Sequence, residues 1–288
     1  MPTYKRSLIK SFWDLFRLEH GLMYGLGVVV GIYVSDPHFE GLIKILLGYL
    51  TAVFLQASAF ALNDYSDYEV DVANKRLDRP LVRGELSVRT ALWAGILMMP
   101  AGFISAALIS PTALVFALAI TILGYIYNLK LKEFGLAGNI YIAFTMSAPF
   151  LFGSIVAKNE ITATAALLST MAFLSGLGRE IMKGIEDVEG DAIRNVKSVA
   201  RVKGTGFAAI LSAFLYLLAV LISPLPPLFV QGFMDWKYIL PVAVTDAMLI
   251  HISASIIKKH ERDVIEKYRK RTLIAMGFGL LGFLGGAF

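Results

Sequence analysis

The chain alternates long apolar runs with short polar ones, and the apolar runs share one characteristic length. Nine can be marked, over residues 18–34, 42–62, 91–110, 112–127, 136–156, 162–177, 205–222, 238–257 and 273–288. Each is near the roughly 20 residues that an α-helix needs to cross a bilayer. The pattern therefore predicts an all-α membrane protein with nine transmembrane helices. The fourth and sixth runs are short, so their helices are expected to extend into the adjoining loops. The polar stretches after the second and sixth runs are longer and denser in charge than the others.

Charge placement supports this segmentation. Of 27 Lys and Arg residues, only Lys44, Lys158 and Lys237 fall on the side of the segments opposite the N-terminus. Basic loops mark the cytoplasmic face, which predicts a cytoplasmic N-terminus and puts both charge-dense loops in the cytoplasm. Composition agrees with membrane embedding: 57% of residues are hydrophobic and 17% charged, against about 25% charged in a soluble domain. The net charge of +5 resides in short loops, where membrane orientation accounts for it, and no nucleic-acid partner is expected. The basic N-terminal stretch lacks a small-residue cleavage pattern, so no cleaved signal peptide is expected. The chain has no cysteine, which removes disulfides, thiolate nucleophiles and Cys-based zinc sites.

The two long loops carry the candidate chemistry. Asn63, Asp67 and Asp71 recur at i, i+4 and i+8, and Asp187 and Asp191 at i, i+4; on a helix such spacings stack side chains on one face. Crowded carboxylates repel one another, so a cation is the expected occupant. Asn63 to Asp187 and Asp67 to Asp191 share an offset of 124 residues. That offset suggests a duplication, with pseudo-repeats over about 12–130 and 136–257 and a ninth helix at 272–288, all in one domain spanning 1–288. Two four-helix units of equal orientation would bring both clusters to one site, in a central cavity opening to the cytoplasm. Lys and Arg alternate with the acids in both loops, and a solvated ion-pair face is the plain alternative. Repetition of the pattern in an otherwise apolar chain favours a site. Mg2+ takes one or two carboxylates, keeps some waters and bridges to phosphate oxygens, so the arrangement suits a polyanion held through Mg2+, with basic residues on its remaining charge.

Other polar residues in the apolar runs have structural readings of comparable weight. Asp246 and His251 share one run but not an i, i+4 face. Arg17 opens the first run, as a membrane anchor or a contact for an anionic group.

These residues resemble the UbiA superfamily of intramembrane prenyltransferases over nearly the whole chain. Asn63, Asp64, Asp67 and Asp71 match its NDxxDxxxD signature, Asp78-Arg79-Pro80 looks like its Arg-Pro turn, and Tyr127 to Lys132 with Gly138-Asn139 resemble its short basic loop. Arg179-Glu180-Ile181, Lys183, Ile185-Glu186-Asp187 and Glu189-Gly190-Asp191 are most similar to archaeal members that prenylate geranylgeranylglyceryl phosphate. Two positions depart from the pattern: Gly184 stands where many members have another Asp, and Leu81-Val82-Arg83-Gly84 replaces the more usual Ile-Pro-Ser-Gly. The resemblance implies Mg2+-dependent transfer from a prenyl diphosphate, such as geranylgeranyl diphosphate, to a lipid acceptor. An aromatic acceptor of quinone or haem synthesis is the alternative. Asn63, Asp67, Asp71, Asp187 and Asp191 would hold metal, with the four Asp and Lys132 catalytic. Asn63, Asp64, Arg79, Arg83, Tyr127, Arg179 and Lys183 would bind the diphosphate or the acceptor. Arg83 in particular would meet the acceptor's phosphate, and Tyr65, Tyr125 or Tyr127 would face the allylic cation. A transporter would place its acids near the midplane, a CDP-alcohol phosphotransferase requires Gly where Tyr68 stands, and an inert anchor gives no reason for the repeated spacing.

Overall fold

The computed structural model describes residues 7–193 and 195–288, without the side chains of Lys132, Ile193 and Gln231. Lys132, expected among the catalytic residues, thus lies outside the described side chains. Every regular element among the described residues is helical.

The helices belong to two compact units. The first comprises the chain up to Val29 and Glu40–Asn128; the second comprises Val30–Phe39 and Leu129–Phe288. In chain order come α1 (Leu8–Phe16), α2 (Leu18–Ser35, which runs from the first unit into the second), α3 (Leu42–Ser66), α4 (Tyr68–Ala73), α5 (Val88–Ile109) and α6 (Pro111–Leu129). After these follow α7 (Leu136–Lys158), α8 (Ala163–Glu186), α9 (Val188–Ile193), α10 (Val199–Lys203), α11 (Thr205–Ile222), α12 (Trp236–Lys258) and α13 (Arg262–Ala287). Each apolar run falls on a long helix. Seven of these, α2, α3, α5, α6, α7, α11 and α12, are long and apolar enough to cross a membrane, α11 being counted through Leu228. α8 and α13 are as long but carry charged turns: α8 continues past the apolar run through Arg179, Glu180 and Lys183, and α13 begins at Arg262, well before it. Ile265, Thr272 and Ala275 are all buried on α13, at spacings that keep one face inward.

In the first unit α3 packs closely on α5. Ser58 Oγ donates to the Gly95 carbonyl at 2.8 Å, and a Cβ on Gly95 would stand 2.7 Å from Leu62 Cγ. Small residues permit this approach, and in lipid, where apolar helices gain little by burial, packing and interhelical hydrogen bonds of about 0.6 kcal/mol each hold helices together. α1 is a short helix that the apolar runs do not announce. Its N-cap is Ser7, whose Oγ accepts from Lys10 N at 3.3 Å, and it stops at Arg17 in the left-handed conformation (φ 43°). Its Leu15 is buried with Ala61, Leu81, Leu86 and Ala91, which seats α1 on α3 and the loop before α5.

In the second unit α8 is flanked by α7, α11 and α13. Ser212 Oγ donates to the Gly178 carbonyl at 2.7 Å, and the wholly buried Tyr216 lies against Gly178. Ile181, Met182 and Ile185 of α8 share a core with Val199, Ala209, Ile252 and Ile265, so the polar end of α8 rests on a fixed base. Asp246 of α12 accepts from Ser223 Oγ at 2.6 Å, and Tyr238 Oη donates to the Ser223 carbonyl at 2.7 Å. This acid, midway along the apolar α12, thus ties α12 to the end of α11. His251 meets the edge of Tyr268 with ring centroids 5.8 Å apart.

Candidate active site: two acidic helix ends

α3 stays helical through Asn63, Asp64, Tyr65 and Ser66 and is interrupted at Asp67 (φ −93°, ψ 3°). The interruption is local. Asp67 N still donates to the Asn63 carbonyl at 2.9 Å and Asp71 N to the Asp67 carbonyl at 2.8 Å, so α4 resumes at once. The i, i+4, i+8 helical face expected from sequence is therefore interrupted at Asp67, its middle member. Asn63 Nδ2 donates to Asp67 Oδ2 at 3.2 Å, which joins the first two members of the set. After α4, Lys75 turns left-handed (φ 51°) and Arg76 N returns to the Asp71 carbonyl at 3.0 Å, a Schellman-like stop.

Arginines surround these acids. Asp64, 2% exposed, accepts from Arg17 Nη2 at 2.5 Å and has Arg79 Nη1 at 3.5 Å. The Arg17 guanidinium also lies 4.0 Å above the Phe60 ring, so Arg17 belongs to the fabric of the first unit. Asp71 has Arg79 Nε at 3.6 Å and Arg76 Nη1 at 3.8 Å. Burial pushes its carboxyl above the ordinary range, with Arg76 opposing the shift. Asp78 is held below that range by two hydrogen bonds from Arg76, at 3.0 and 2.9 Å.

Arg83 has a different place from the one expected. Its Nε donates to Glu85 Oε1 at 2.8 Å, Nη1 to the Leu77 and Asp78 carbonyls at 3.0 and 2.9 Å, and Nη2 to Asp14 Oδ2 at 2.7 Å and Glu85 Oε2 at 2.8 Å. A guanidinium has five N–H donors, and these five bonds use them all. Arg83 thus braces the 77–85 loop against α1, where sequence reasoning has it meeting an acceptor phosphate. Ser11 Oγ completes the brace by donating to Glu85 Oε2 at 2.9 Å.

The second acidic segment repeats the backbone of the first. α8 is interrupted at Asp187 (φ −95°, ψ 8°), whose N donates to the Lys183 carbonyl at 3.1 Å. Asp191 N then donates to the Asp187 carbonyl at 2.8 Å, Asn195 turns left-handed (φ 54°), and Val196 N returns to the Asp191 carbonyl at 2.8 Å. Every conformation recurs 120 residues after its counterpart, so the offset of 124 is corrected by one helical turn. Asp187 corresponds to Asp67, Asp191 to Asp71, Lys183 to Asn63 and Gly184 to Asp64. The side-chain spacing pairs the segments at 124 residues, whereas their helix breaks and turns match at 120. A sequence signal does exist, since Asp67-Tyr68-Glu69-Val70-Asp71 and Asp187-Val188-Glu189-Gly190-Asp191 share the pattern DxExD.

Around the second segment, Arg179 Nη1 donates to Glu180 Oε1 at 2.8 Å, while its Nε is buried with no hydrogen-bond partner. Lys183, half-exposed, has Glu180 Oε2 at 3.8 Å. Two residues absent from the sequence reading brace this end. Arg269 of α13 donates to Glu186 at 2.7 and 3.4 Å, and Arg201 Nη1 donates to the Val196 carbonyl at 2.9 Å. The basic loop after α6 is tied here too: Lys197 N donates to the Glu133 carbonyl at 3.1 Å, and Gly135 (φ 51°) lies so close to the Lys197 carbonyl that a Cβ there would overlap it. Tyr127 falls in the last turn of α6, Tyr125 donates to Met99 Sδ at 3.7 Å, and Tyr65 is 39% exposed at the end of α3.

No three His, Cys, Asp or Glu side chains among the described residues gather closely enough to hold an ion on their own. The donors present nevertheless fit a hard cation that completes its shell with water and phosphate. All are carboxylate or amide oxygens, and Asp64 Oδ2 is buried with no hydrogen-bond partner.

A sequence profile described as the UbiA prenyltransferase family matches residues 25–276. The chain is 61% identical over 289 residues to a digeranylgeranylglyceryl phosphate synthase of Archaeoglobus fulgidus, covering 100% of this chain and 98% of that one. It is also similar to a solved structure of digeranylgeranylglyceryl phosphate synthase, with a TM-score of 0.80 and 29% identity over 97% of this chain and 98% of the other. A UbiA homolog from Archaeoglobus fulgidus solved with GPP and Mg2+ shares the fold at a TM-score of 0.65 and 20% identity, over 95% of this chain and 99% of that one. Two acidic helix ends of one backbone design, on apolar helices covered almost throughout by the family profile, place the chain in the UbiA prenyltransferase family.

Proposed function

We propose that this chain transfers a geranylgeranyl group from geranylgeranyl diphosphate to geranylgeranylglyceryl phosphate, a step of archaeal-type membrane-lipid synthesis. The observation that carries this reading is the 61% identity, over the whole chain, to the Archaeoglobus fulgidus protein of that name. In the reaction the bond from the allylic carbon to the diphosphate oxygen breaks, an ether bond to the acceptor's hydroxyl oxygen forms, and the hydroxyl proton and diphosphate depart.

Asn63, Asp67, Asp71, Asp187 and Asp191 would hold Mg2+ in this reading, and a UbiA homolog of the same fold is solved with GPP and Mg2+. A metal held there would supply Lewis-acid stabilisation of the diphosphate leaving group. Arg79 lies beside Asp71 and Asp64 with its Nε lacking a hydrogen-bond partner, which suits it to take a diphosphate oxygen; Lys183 and Lys132 are further cations for that group. Arg17 positions Asp64, and Arg83 positions the loop that carries Arg79. The charge bias of the loops supports nine transmembrane spans with a cytoplasmic N-terminus and cytoplasmic acidic segments. The shared helix breaks support two four-helix repeats followed by α13.

Purified protein with Mg2+, labelled geranylgeranyl diphosphate and either geranylgeranylglyceryl phosphate or a hydroxybenzoate acceptor tests the proposal, with products identified by mass. The expected product is the doubly prenylated glyceryl phosphate ether. Prenylated hydroxybenzoate without that ether would assign the aromatic reaction instead.

A further inference from the structure

Outside the acidic segments, the first unit contains an open cavity of about 580 Å3 between α1 and the first half of α5. Phe12 and Phe16 of α1, with ring centroids 5.7 Å apart, form one wall. Trp93 and Leu97 of α5 form the other, and Arg89 and Thr90 stand at the N-terminal end of α5. This volume falls within the range of small-molecule sites. Trp93 is 51% exposed and Leu97 64%, so the protein leaves the apolar part of the groove open.

Two further observations bear on what it could hold. Arg89 is exposed, and no carboxylate or other polar group pairs with it among the described residues. In contrast, Arg76, Arg79 and Arg83 on the preceding loop all have acidic partners. The outer side of α1 is apolar as well, with Leu8 64%, Ile9 81% and Trp13 42% exposed. A short helix with Ser11 and Leu15 buried and Leu8, Ile9 and Trp13 outward suits the headgroup boundary of a bilayer. An exposed cation with no acidic partner among the described residues, at one end of an open apolar groove, complements an amphiphile with an anionic head.

We propose that this groove binds one bilayer lipid with an anionic phosphate headgroup, its chain along Phe16, Trp93 and Leu97 and its phosphate at Arg89. The site is separate from the acidic segments, and its occupant is a resident lipid, so it stands or falls apart from the acceptor assignment.

The chain has three tryptophans, and Trp13→Phe with Trp236→Phe leaves Trp93 as the only one. Full-length protein with these changes is reconstituted in mixtures of phosphatidylcholine and phosphatidylglycerol, with one or the other brominated, and quenching of Trp93 is measured. The expected result is a preference for phosphatidylglycerol of about fivefold, the ratio for one basic residue near a membrane surface. That preference should fall to about one in Arg89→Gln and below one in Arg89→Glu. Equal quenching by both lipids, or a preference unchanged in both Arg89 variants, would overturn the proposal. So would loss of quenching by either lipid as the protein-to-lipid ratio rises, which would mean that a second copy of the chain covers the groove.

Discussion

Replacing Arg83 with Ser separates a structural brace from an acceptor contact. The guanidinium makes three hydrogen bonds to carboxylates and two to carbonyls. The side chains of Glu85 and Asp14 are 9% and 21% exposed, so water replaces those bonds only in part. Removing one partner from a fully buried pair costs about 3–5 kcal/mol, whereas exposed pairs are worth about 0–1 kcal/mol. This partly buried network falls between, at roughly 2–3 kcal/mol. Arg83→Ser should therefore lower the melting temperature in detergent by on the order of 5 °C and reduce kcat by loosening the loop that carries Arg79. KM for the phosphorylated acceptor should stay nearly constant. Asp14→Asn should reproduce much of the effect, and Arg83→Lys, which supplies one point charge in place of a five-donor fork, should recover only part of it. A tenfold rise in acceptor KM with unchanged melting would refute the brace and return Arg83 to the acceptor site.

Asp67→Asn and Asp191→Asn should each remove most turnover with melting nearly unchanged, and excess chelator should abolish activity in the parent protein; full turnover by either variant excludes that carboxylate from the metal site. Arg17→Ala leaves the buried Asp64 carboxylate only the longer contact to Arg79, at 3.5 Å, and should destabilise by less than the roughly 3–5 kcal/mol of a fully unpaired buried charge, read as melting temperature, whereas Arg17→Ala combined with Asp64→Asn should recover much of the loss. Cysteines introduced at Lys75 and Asn195 should react with impermeant reagents from the cytoplasmic face and those at Asp36 and Asn159 from the other; reaction of 75 and 195 from opposite faces would refute the nine-span arrangement.

The long helices were legible because crossing a bilayer demands some 20 consecutive apolar residues, and few other constraints leave so plain a trace. α1 was hidden because nine residues with a 3.6 period, in a stretch noted mainly for its basic residues, fall below any length signal. α8 and α13 were cut short because hydropathy marks where apolar runs end and not where helical hydrogen bonding ends; Arg179 to Glu186 and Arg262 to Arg271 carry charged residues yet are helical. The acids of the candidate site were visible as spacings. Their arginine partners were not, since Arg17 reaches Asp64 across 47 positions and Arg83 reaches Asp14 across 69, and no local pattern encodes such pairs.

The corrected register changes the chemistry expected of the two halves. Were the segments aligned at 124 residues, Asp187 would stand for Asn63, and the two would carry equivalent ligand sets. At 120 residues, Asp67 and Asp71 are matched by Asp187 and Asp191, but Asn63 and Asp64 are matched by Lys183 and Gly184. The first segment therefore adds an amide oxygen and a third carboxylate to the shared pair, while the second adds a half-exposed ammonium and a residue without a side chain. A cation one turn before a carboxylate pair lowers that segment's negative charge and attracts phosphate oxygen directly. Metal affinity should therefore reside mainly in the first segment, with the second contributing charge to the diphosphate. Lys183→Asn makes the second segment more like the first, so it should weaken diphosphate binding while leaving or strengthening affinity for Mg2+ measured without substrate. If Lys183→Asn weakened Mg2+ binding in the absence of diphosphate and left diphosphate affinity intact, this division between the segments would be wrong.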